Sequence, residues 1–249
     1  VDHKLHLRCE ITHPDIVALF EHHSRSPLTA MMSVMDHAPG DRQSPDVDAY
    51  RKRYQKNPNL SPEEVETHIR ELIEGSKVYG PANRAGLAEL ARARGVPLAT
   101  HDDASAAHVA EAVALGAVLT EFPTTLEAAE AARAQGLPTL MGSPNLIRGG
   151  SHSGNVAAAE LARADLLDMF ASDYIPASLV QAAFHLTGDD FGFAVPDAVA
   201  MVTERPARAL GLADRGRLEV GRRADLVEIR LVRERPLVRS VWSAGRRVA

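Results

Sequence analysis

The sequence lacks the features that mark several common protein classes. Its 249 residues include one cysteine, Cys9, which cannot form an internal disulfide bond, so a reducing cytoplasm is the expected location. No apolar run approaches the length of a membrane-spanning helix. The formal net charge of −5 argues against a general nucleic-acid-binding protein. The nucleophile signature G-x-S-x-G is absent as well. Neither nucleic acid nor membrane is therefore an expected partner.

A repeating strand–helix unit occupies the middle of the chain. Glycine begins three strand-like runs at intervals of about twenty residues, the length of a short strand, a turn and a three-turn helix. Alanine-rich helical segments, 104–115 and 126–135, lie between these runs; Thr124 and Glu127 form a predicted capping box before the second, and Gly136 ends it. Alternating units of this kind predict a parallel α/β sheet. The six predicted strands are 3–10, 28–37, 96–101, 117–122, 138–142 and 166–173.

The number of strands predicts an incomplete barrel. An eight-stranded (β/α) barrel needs about two more strands, and the chain begins at Val1 almost inside a strand, so we expect an N-terminal part to be missing. After residue 190 the pattern changes to a helical stretch at 196–212, with a break at Arg205-Pro206, and then to short strands. We predict that residues 1–212 form a partial barrel catalytic domain lacking its first strands. Residues 213–249 would be part of a small β-sandwich domain.

The first strand carries a chemically unusual face. Read as a strand, residues 5–10 place His6, Arg8 and Glu10 on one side and Cys9 on the other. An imidazole, a guanidinium and a carboxylate suit the inner wall of an enzyme barrel, where strand ends meet the active site. His6 would support such a site through a hydrogen bond, whereas Cys9 points away and is not expected to be a nucleophile.

Four strand ends carry residue types that bind metals. Glu10, His37, His101 and Asp173 each end a predicted strand, and a metal hydrolase needs imidazoles, carboxylates and a base for the metal-bound water. Glu10, His37 and His101 are the predicted ligands, and Asp173 is the predicted catalytic base. Any single histidine at a strand end is more often structural, but four such ends in one βα array weaken that alternative.

The neighbouring acids keep a structural alternative. Asp102 and Asp103 directly precede a helix, so either could be its N-cap. Asp36 is either a hydrogen-bond partner of His37 or an ordinary loop acid.

Residues 40–80 interrupt the strand–helix rhythm. This insertion follows the strand that ends at His37, contains the basic run 50–56, and continues into a helix that begins at Ser61-Pro62. It is predicted either to be a lid that brings positive charge to an anionic substrate or to be a solvated basic helical face.

The glycine-rich segment 143–155 is the second informative stretch. It follows a strand and precedes an alanine-rich helix, so its glycines and the helix N-terminus could approach a phosphate. Arg148 and His152 would add charge and hydrogen bonds. An ordinary flexible loop is the alternative.

Taken together, these residues resemble the amidohydrolase superfamily. The resemblance rests on His37 and His101, on Ser172-Asp173, and on the tail 203–212 with its continuation 214–227. A narrower similarity, covering nearly the whole chain, is to the alpha-D-ribose 1-methylphosphonate 5-triphosphate diphosphatase family of the carbon–phosphorus lyase pathway. It is carried by the segments 5–10, 34–43, 100–103, 120–123 and 142–155.

The narrower resemblance implies a reaction and its requirements. The 5-triphosphate would be hydrolysed to a 5-monophosphate and pyrophosphate, with one or two divalent metals, expected to be zinc, activating water and Asp173 taking its proton. Association with other proteins of the pathway and a homo-oligomer are both compatible with it. The residues expected to bind the anionic substrate are Arg42, Asn145, Arg148, Gly149, Gly150, Ser151, His152 and Asn155, with further charge from Arg51, Lys52, Arg53 and Lys56.

One departure from the superfamily pattern limits these expectations. The usual His-x-His pair of the first barrel strand is absent from the 249 residues, so this chain alone is expected to bind metal weakly and to show little activity. Exposed sheet edges would also favour aggregation. Two alternatives stay open: an amidohydrolase that acts on a cyclic amide or acetamido sugar, and an inactive scaffold.

Overall fold

The computed structural model describes residues 2–151 and 154–249, which form two compact units. The N-terminal unit comprises His3–Leu137, and the C-terminal unit comprises Pro138–Ala249 together with Asp2. Among the described residues, no helix combines the length and the apolar character needed to cross a membrane.

Four parallel strands form the centre of the N-terminal unit. They are β1 (Leu5–Glu10), β2 (Thr29–Met35), β3 (Leu98–His101) and β4 (Leu119–Glu121), in the spatial order β1-β2-β3-β4. Glu10 pairs with Met35, and His101 pairs with Glu121. This register brings the carboxyl ends of all four strands to one edge of the sheet, which is where parallel α/β sheets place their sites.

Helices alternate with these strands and bury their apolar faces. They are α1 (Ile16–His23), α4 (Gly80–Arg94), α5 (Ala106–Leu115) and α6 (Leu126–Ala134). Phe20 of α1, Leu87 of α4 and Met32 of β2 belong to one buried cluster. The cluster explains why the βα order of the sequence forms a sheet covered by helices.

The insertion at 40–80 is a packed helical segment. It contains α2 (Val47–Tyr54) and α3 (Pro62–Val78), and Tyr50, Val65 and Ile69 form their own buried cluster. The predicted start of α3 is confirmed, because Ser61 and Glu64 form a capping box with proline at the first turn. The lid function stays a prediction.

Two of the basic side chains of the insertion contact groups within it. Arg51 pairs with Asp48 and Glu66, and the Arg53 guanidinium lies 5.4 Å from the ring centroid of Tyr50. At Gly75 of α3, an added Cβ would lie 2.5 Å from the carbonyl oxygen of Thr12, so only glycine fits there.

The C-terminal unit combines two kinds of sheet. Strands β5 (Thr139–Gly142) and β6 (Met169–Ala171) are parallel, whereas β7 (Leu226–Val232), β8 (Arg235–Ser243) and β9 (Arg246–Arg247) form an antiparallel sheet. Its helices are α7 (Ser143–Arg148), α8 (Ala158–Arg163), α9 (Ser178–His185), α10 (Val195–Ala200) and α11 (Glu204–Ala209). All six predicted parallel strands are present with shorter ends, and the small C-terminal β region is antiparallel. The predicted α/β fold class is confirmed, and the proposed domain boundaries stay a prediction.

Several local predictions were wrong. Thr125, not Thr124, is the N-cap of α6, and Glu127 accepts a hydrogen bond from the Ala106 amide instead of closing a capping box. Ser105 caps α5, so neither Asp102 nor Asp103 does.

Two predicted segments also differ in secondary structure. Residues 143–148 of the predicted loop form α7, because proline at the first turn favours helix initiation. The stretch 196–212 is two helices, and the break lies at 201–203, before Arg205-Pro206.

Candidate metal centre

His37 lies just beyond β2 and is held on both sides by carboxylates. Its Nδ1 is 2.6 Å from Oε2 of Glu10, and its backbone N–H donates to Oε1 of the same residue at 3.1 Å. Its Nε2 lies 3.5 Å from Oδ2 of Asp102. A carboxylate on one ring nitrogen fixes the orientation of the imidazole and leaves the other nitrogen for a ligand.

His101 and Asp102 form the buried part of the cluster. Nδ1 of His101 lies 2.9 Å from Oδ2 of Asp102, and the His37 and His101 ring centroids are 5.4 Å apart. Asp102 has a left-handed backbone, with φ 57°, which is uncommon for a residue with a Cβ. Its N–H donates to the carbonyl of Glu121 at 2.9 Å, so the strained residue is held by the neighbouring strand end.

The donor atoms of this cluster fit a divalent metal. One ligand atom each from His37, His101 and Asp102 can be chosen so that all three lie within 4.8 Å of one another. Nδ1 of His101 and Oδ2 of Asp102 are buried, and neither makes a hydrogen bond of acceptable geometry although they are close. Buried polar atoms in native proteins nearly always have a partner, and imidazole nitrogen with carboxylate oxygen is a typical zinc donor set.

The carboxylates of the cluster stabilise a protonated imidazole as well as a bound cation. The carboxylates of Asp102 and Glu10 raise the pKa of His37 to about 9, against the opposing effect of burial. Burial raises the pKa of Asp102, but the imidazoles of His101 and His37 outweigh it, so the pKa lies below its ordinary value. An ionised carboxylate beside imidazoles is the state that a metal requires, and His37 would release a proton when it binds one.

A second set of polar side chains lies on the same face of the sheet. Ser33 donates to Oε2 of the buried Glu121 at 2.6 Å and also contacts Nε2 of His6. Arg8 NH2 lies 3.3 Å from Nε2 of His101, the ring nitrogen that faces away from Asp102. The alternating face predicted for β1 therefore contacts the cluster, and burial lowers the pKa of His6.

Arg42 is buried in an ion-pair network. Its side chain is 6% exposed, and NH1 donates to Oδ1 of Asp103 at 2.6 Å while NH2 donates to Glu111 at 3.1 Å. Both ion pairs use the terminal guanidinium nitrogens, and Nε of Arg42 is buried without a hydrogen-bond partner among the described residues. The role predicted for Arg42 as a substrate ligand stays a prediction.

The remaining predicted site residues belong to the C-terminal unit. Asp173 follows β6, is exposed and has φ 48°.

Asn145 accepts a hydrogen bond from the Ala158 amide at 2.9 Å, and Arg148 donates to the Gly150 carbonyl at 2.6 Å. Gly149 ends α7 in the left-handed region, Ser151 and Asn155 follow it, and His152 lies outside the described residues.

Two acidic residues, one in the cluster and one beside it, were not among the predicted site residues. The helix N-cap was the alternative given for Asp102, although the adjacent acid in His101-Asp102 is itself a signal for a paired ligand. Glu121 ends β4 in register with His101. Its position at a strand end was the signal that could have identified it.

Comparisons with known proteins identify the relatives of this chain. The sequence profile of the amidohydrolase family matches residues 68–249. The alpha-D-ribose 1-methylphosphonate 5-triphosphate diphosphatase of Escherichia coli (strain K12) is 48% identical over 249 residues, which is 99% of this chain. The chain spans 66% of that relative's length, slightly less than two thirds. An uncharacterized protein of known crystal structure has a TM-score of 0.57 at 16% identity, covering 98% of this chain and 67% of its own, and shares the fold.

Proposed function

Because this chain belongs to the amidohydrolase family, we propose that it acts as a metal-dependent hydrolase on alpha-D-ribose 1-methylphosphonate 5-triphosphate. The products would be the 5-monophosphate and pyrophosphate. The single observation that carries the metal-dependent part is the cluster of His37, His101 and Asp102 at adjoining strand ends. The proposed substrate is that of the 48% identical diphosphatase of Escherichia coli.

The proposed roles follow from the contacts of each side chain. His37, His101 and Asp102 would hold the metal. Glu10, which the sequence predicts as a further ligand, would also orient His37 through the 2.6 Å contact with Nδ1. A divalent ion, proposed to be zinc, would lower the pKa of a water molecule and polarise a phosphoryl oxygen. One or two such ions would bind, and the metal content of the loaded protein distinguishes the two cases.

Asp173 and the segment 143–155 complete the proposal from the C-terminal unit. Asp173 is the proposed base that takes the proton of the attacking water, and its exposed carboxylate is suited to exchange that proton with solvent. Arg148 is the proposed cation for the anionic substrate, since a guanidinium binds phosphate through charge-assisted hydrogen bonds. A cytoplasmic location, a homo-oligomer and association with other pathway proteins remain proposals.

The experiment uses protein expressed from the complete reading frame and loaded with zinc. Phosphorus NMR would follow the triphosphate, with His101→Ala and Asp173→Asn as test variants and Asp189→Asn, an exposed acid of the same unit, as the matched control. We expect pyrophosphate release by the unsubstituted protein and by Asp189→Asn, and little from the two test variants. The metal content of the loaded protein would be measured by mass spectrometry.

The alternatives have distinct results in this experiment. Metal-loaded, folded protein that releases no pyrophosphate but hydrolyses a cyclic amide or an acetamido sugar would replace the substrate assignment. Protein that binds metal and turns over none of these compounds would favour a binding role.

A further inference from the structure

A chain of alternating charges links the residues that flank the candidate metal ligands. Asp103 contacts Arg42 at 2.6 Å, and Arg42 contacts Glu111 at 3.1 Å. Glu111 lies 3.7 Å from Arg84, and Arg84 lies 3.0 Å from Asp36. Asp103 directly follows Asp102, and Asp36 directly precedes His37. The two ends of this network therefore lie next to the two sides of the cluster.

Both carboxylate oxygens of Asp103 and its backbone oxygen accept hydrogen bonds from the protein. Besides Arg42 at Oδ1, its Oδ2 accepts hydrogen bonds from Thr100 at 2.5 Å and from Thr120 at 2.7 Å. Its backbone carbonyl accepts from the Thr124 amide at 2.9 Å. These bonds tie β3, β4 and the loop that carries Arg42 to one buried carboxylate, so Asp103 has little freedom to move.

The constraint reaches the ligands through the backbone. Arg42 NH1 also donates to the carbonyl of His101 at 3.4 Å, so one guanidinium contacts the residues on both sides of Asp102. Asp102 itself is in the left-handed region, a conformation that persists only where the surroundings determine it. Loss of Arg42 would remove the two contacts that one side chain makes on either side of Asp102.

We propose that Arg42 is a positioning residue that sets the spacing between His37 and Asp102, and so the metal affinity of the site, through its ion pairs with Asp103 and Glu111. This inference rests on the proposed metal site and adds a residue that contacts neither metal nor substrate. The direct contact with phosphate that the sequence predicts for Arg42 is a separate prediction.

The test measures zinc affinity by competition with a chromophoric chelator, using the complete protein. Arg42→Met removes the charge and both ion pairs, and we expect it to weaken zinc binding about 10- to 100-fold, the usual cost of losing a partner behind the ligands. Arg42→Lys keeps the charge but lacks the planar guanidinium that contacts two carboxylates at once. Its zinc affinity should lie between those of Arg42→Met and the unsubstituted protein. Glu111→Gln weakens the network at its centre and should lower the affinity less than Arg42→Met.

Arg94→Met is the matched control within the same unit. Arg94 pairs with Glu21 at 3.6 Å and flanks no candidate ligand, so we expect a zinc affinity within about twofold of the unsubstituted value. The thermal midpoint of each metal-free variant is recorded alongside, because a purely structural role would lower the midpoint and leave the zinc affinity unchanged.

The outcomes separate the two proposals. Unchanged zinc affinity in folded Arg42→Met and Glu111→Gln would overturn the positioning role and leave the metal site intact. If Arg42→Met does not fold, the zinc affinities of Arg42→Lys and Glu111→Gln test the proposal. Unchanged affinity in both variants would again overturn the positioning role. Absence of zinc binding by the unsubstituted protein would overturn the metal site and this inference together.

Discussion

Arginine–carboxylate pairs occur in both units, but they differ in what surrounds them. In the N-terminal unit, Arg42 and the Asp103 carboxylate are both buried, whereas Arg222 and Glu219 in the C-terminal unit pair where both side chains reach solvent. A pair in solvent contributes little, while a buried charge that loses its partner is costly. The same residue types are therefore buried beside the candidate metal site in one unit and lie at the surface in the other.

The largest expected effect comes from removing the partner of a buried arginine. Asp103→Ala should lower the free energy of unfolding of the metal-free protein by about 3–5 kcal/mol, because the buried Arg42 charge loses the closer of its two carboxylate partners and the Thr100 and Thr120 hydroxyls lose their acceptor. Urea unfolding measures this, with Glu219→Ala expected to change it by less than about 1 kcal/mol. Equal effects of the two substitutions would remove the contrast between the units.

A comparable contrast is expected for apolar side chains. Leu87→Ala empties space in a fully buried cluster and should cost about 2–5 kcal/mol in urea unfolding. Leu218 is 88% exposed in the C-terminal unit. Leu218→Ala should therefore stay within about 0.5 kcal/mol of the unsubstituted protein. A large loss at Leu218 would indicate that another surface covers it.

The pH dependence of stability tests the charge state of the cluster in the N-terminal unit. The folded-state pKa of His37 is about 9 and its ordinary value is 6.5, so protonated His37 stabilises the metal-free fold. This contribution is fully present below pH 6.5 and is lost as the pH rises through 9, with an upper bound of about 3 kcal/mol.

Thermal unfolding in a chelator, scanned from pH 6 to 10, would detect the loss. His37→Gln should remove most of the slope. A slope that is the same in the variant would assign the pH dependence to another group.

The smallest effect concerns thiol reactivity and leaves stability unchanged. Cys9 is buried, and burial raises the pKa of its thiol to about 12, so iodoacetamide at pH 8 should not modify it in the folded protein. A cysteine introduced by Leu218→Cys in the C-terminal unit should react rapidly under the same conditions. Mass spectrometry of the two sites, with urea-unfolded protein as the positive control, reports the difference directly.

The sequence predicted those parts of the fold that depend on local periodicity. The six parallel strands and the start of α3 at Ser61 follow from alternation, glycine spacing and capping residues, which act within a few positions along the chain. Helix boundaries at Thr125 and Ser105 were misjudged by one to three positions, because neighbouring serine, threonine and aspartate compete for the same cap.

The candidate site was only partly predictable, because some of its contacts join residues that are far apart in the sequence. His37 and His101 were expected because a strand end places its last side chain at the edge of the sheet. The role of Asp102 depends on a left-handed turn, and the burial of Arg42 depends on Asp103 and Glu111, which are 61 and 69 positions away. Such long-range pairs leave no periodic signal in the sequence.

The close approach of Gly75 to Thr12 has a consequence for tracing this protein through genomes. An inserted side chain would collide with a backbone carbonyl 2.5 Å away, so natural variation should be blocked at this position while the rest of α3 drifts. Some distant homologues will have lost recognisable similarity in the insertion. A glycine at the position of Gly75 would identify those in which α3 still packs against the backbone at Thr12. Lineages that replaced it should have remodelled or discarded the insertion.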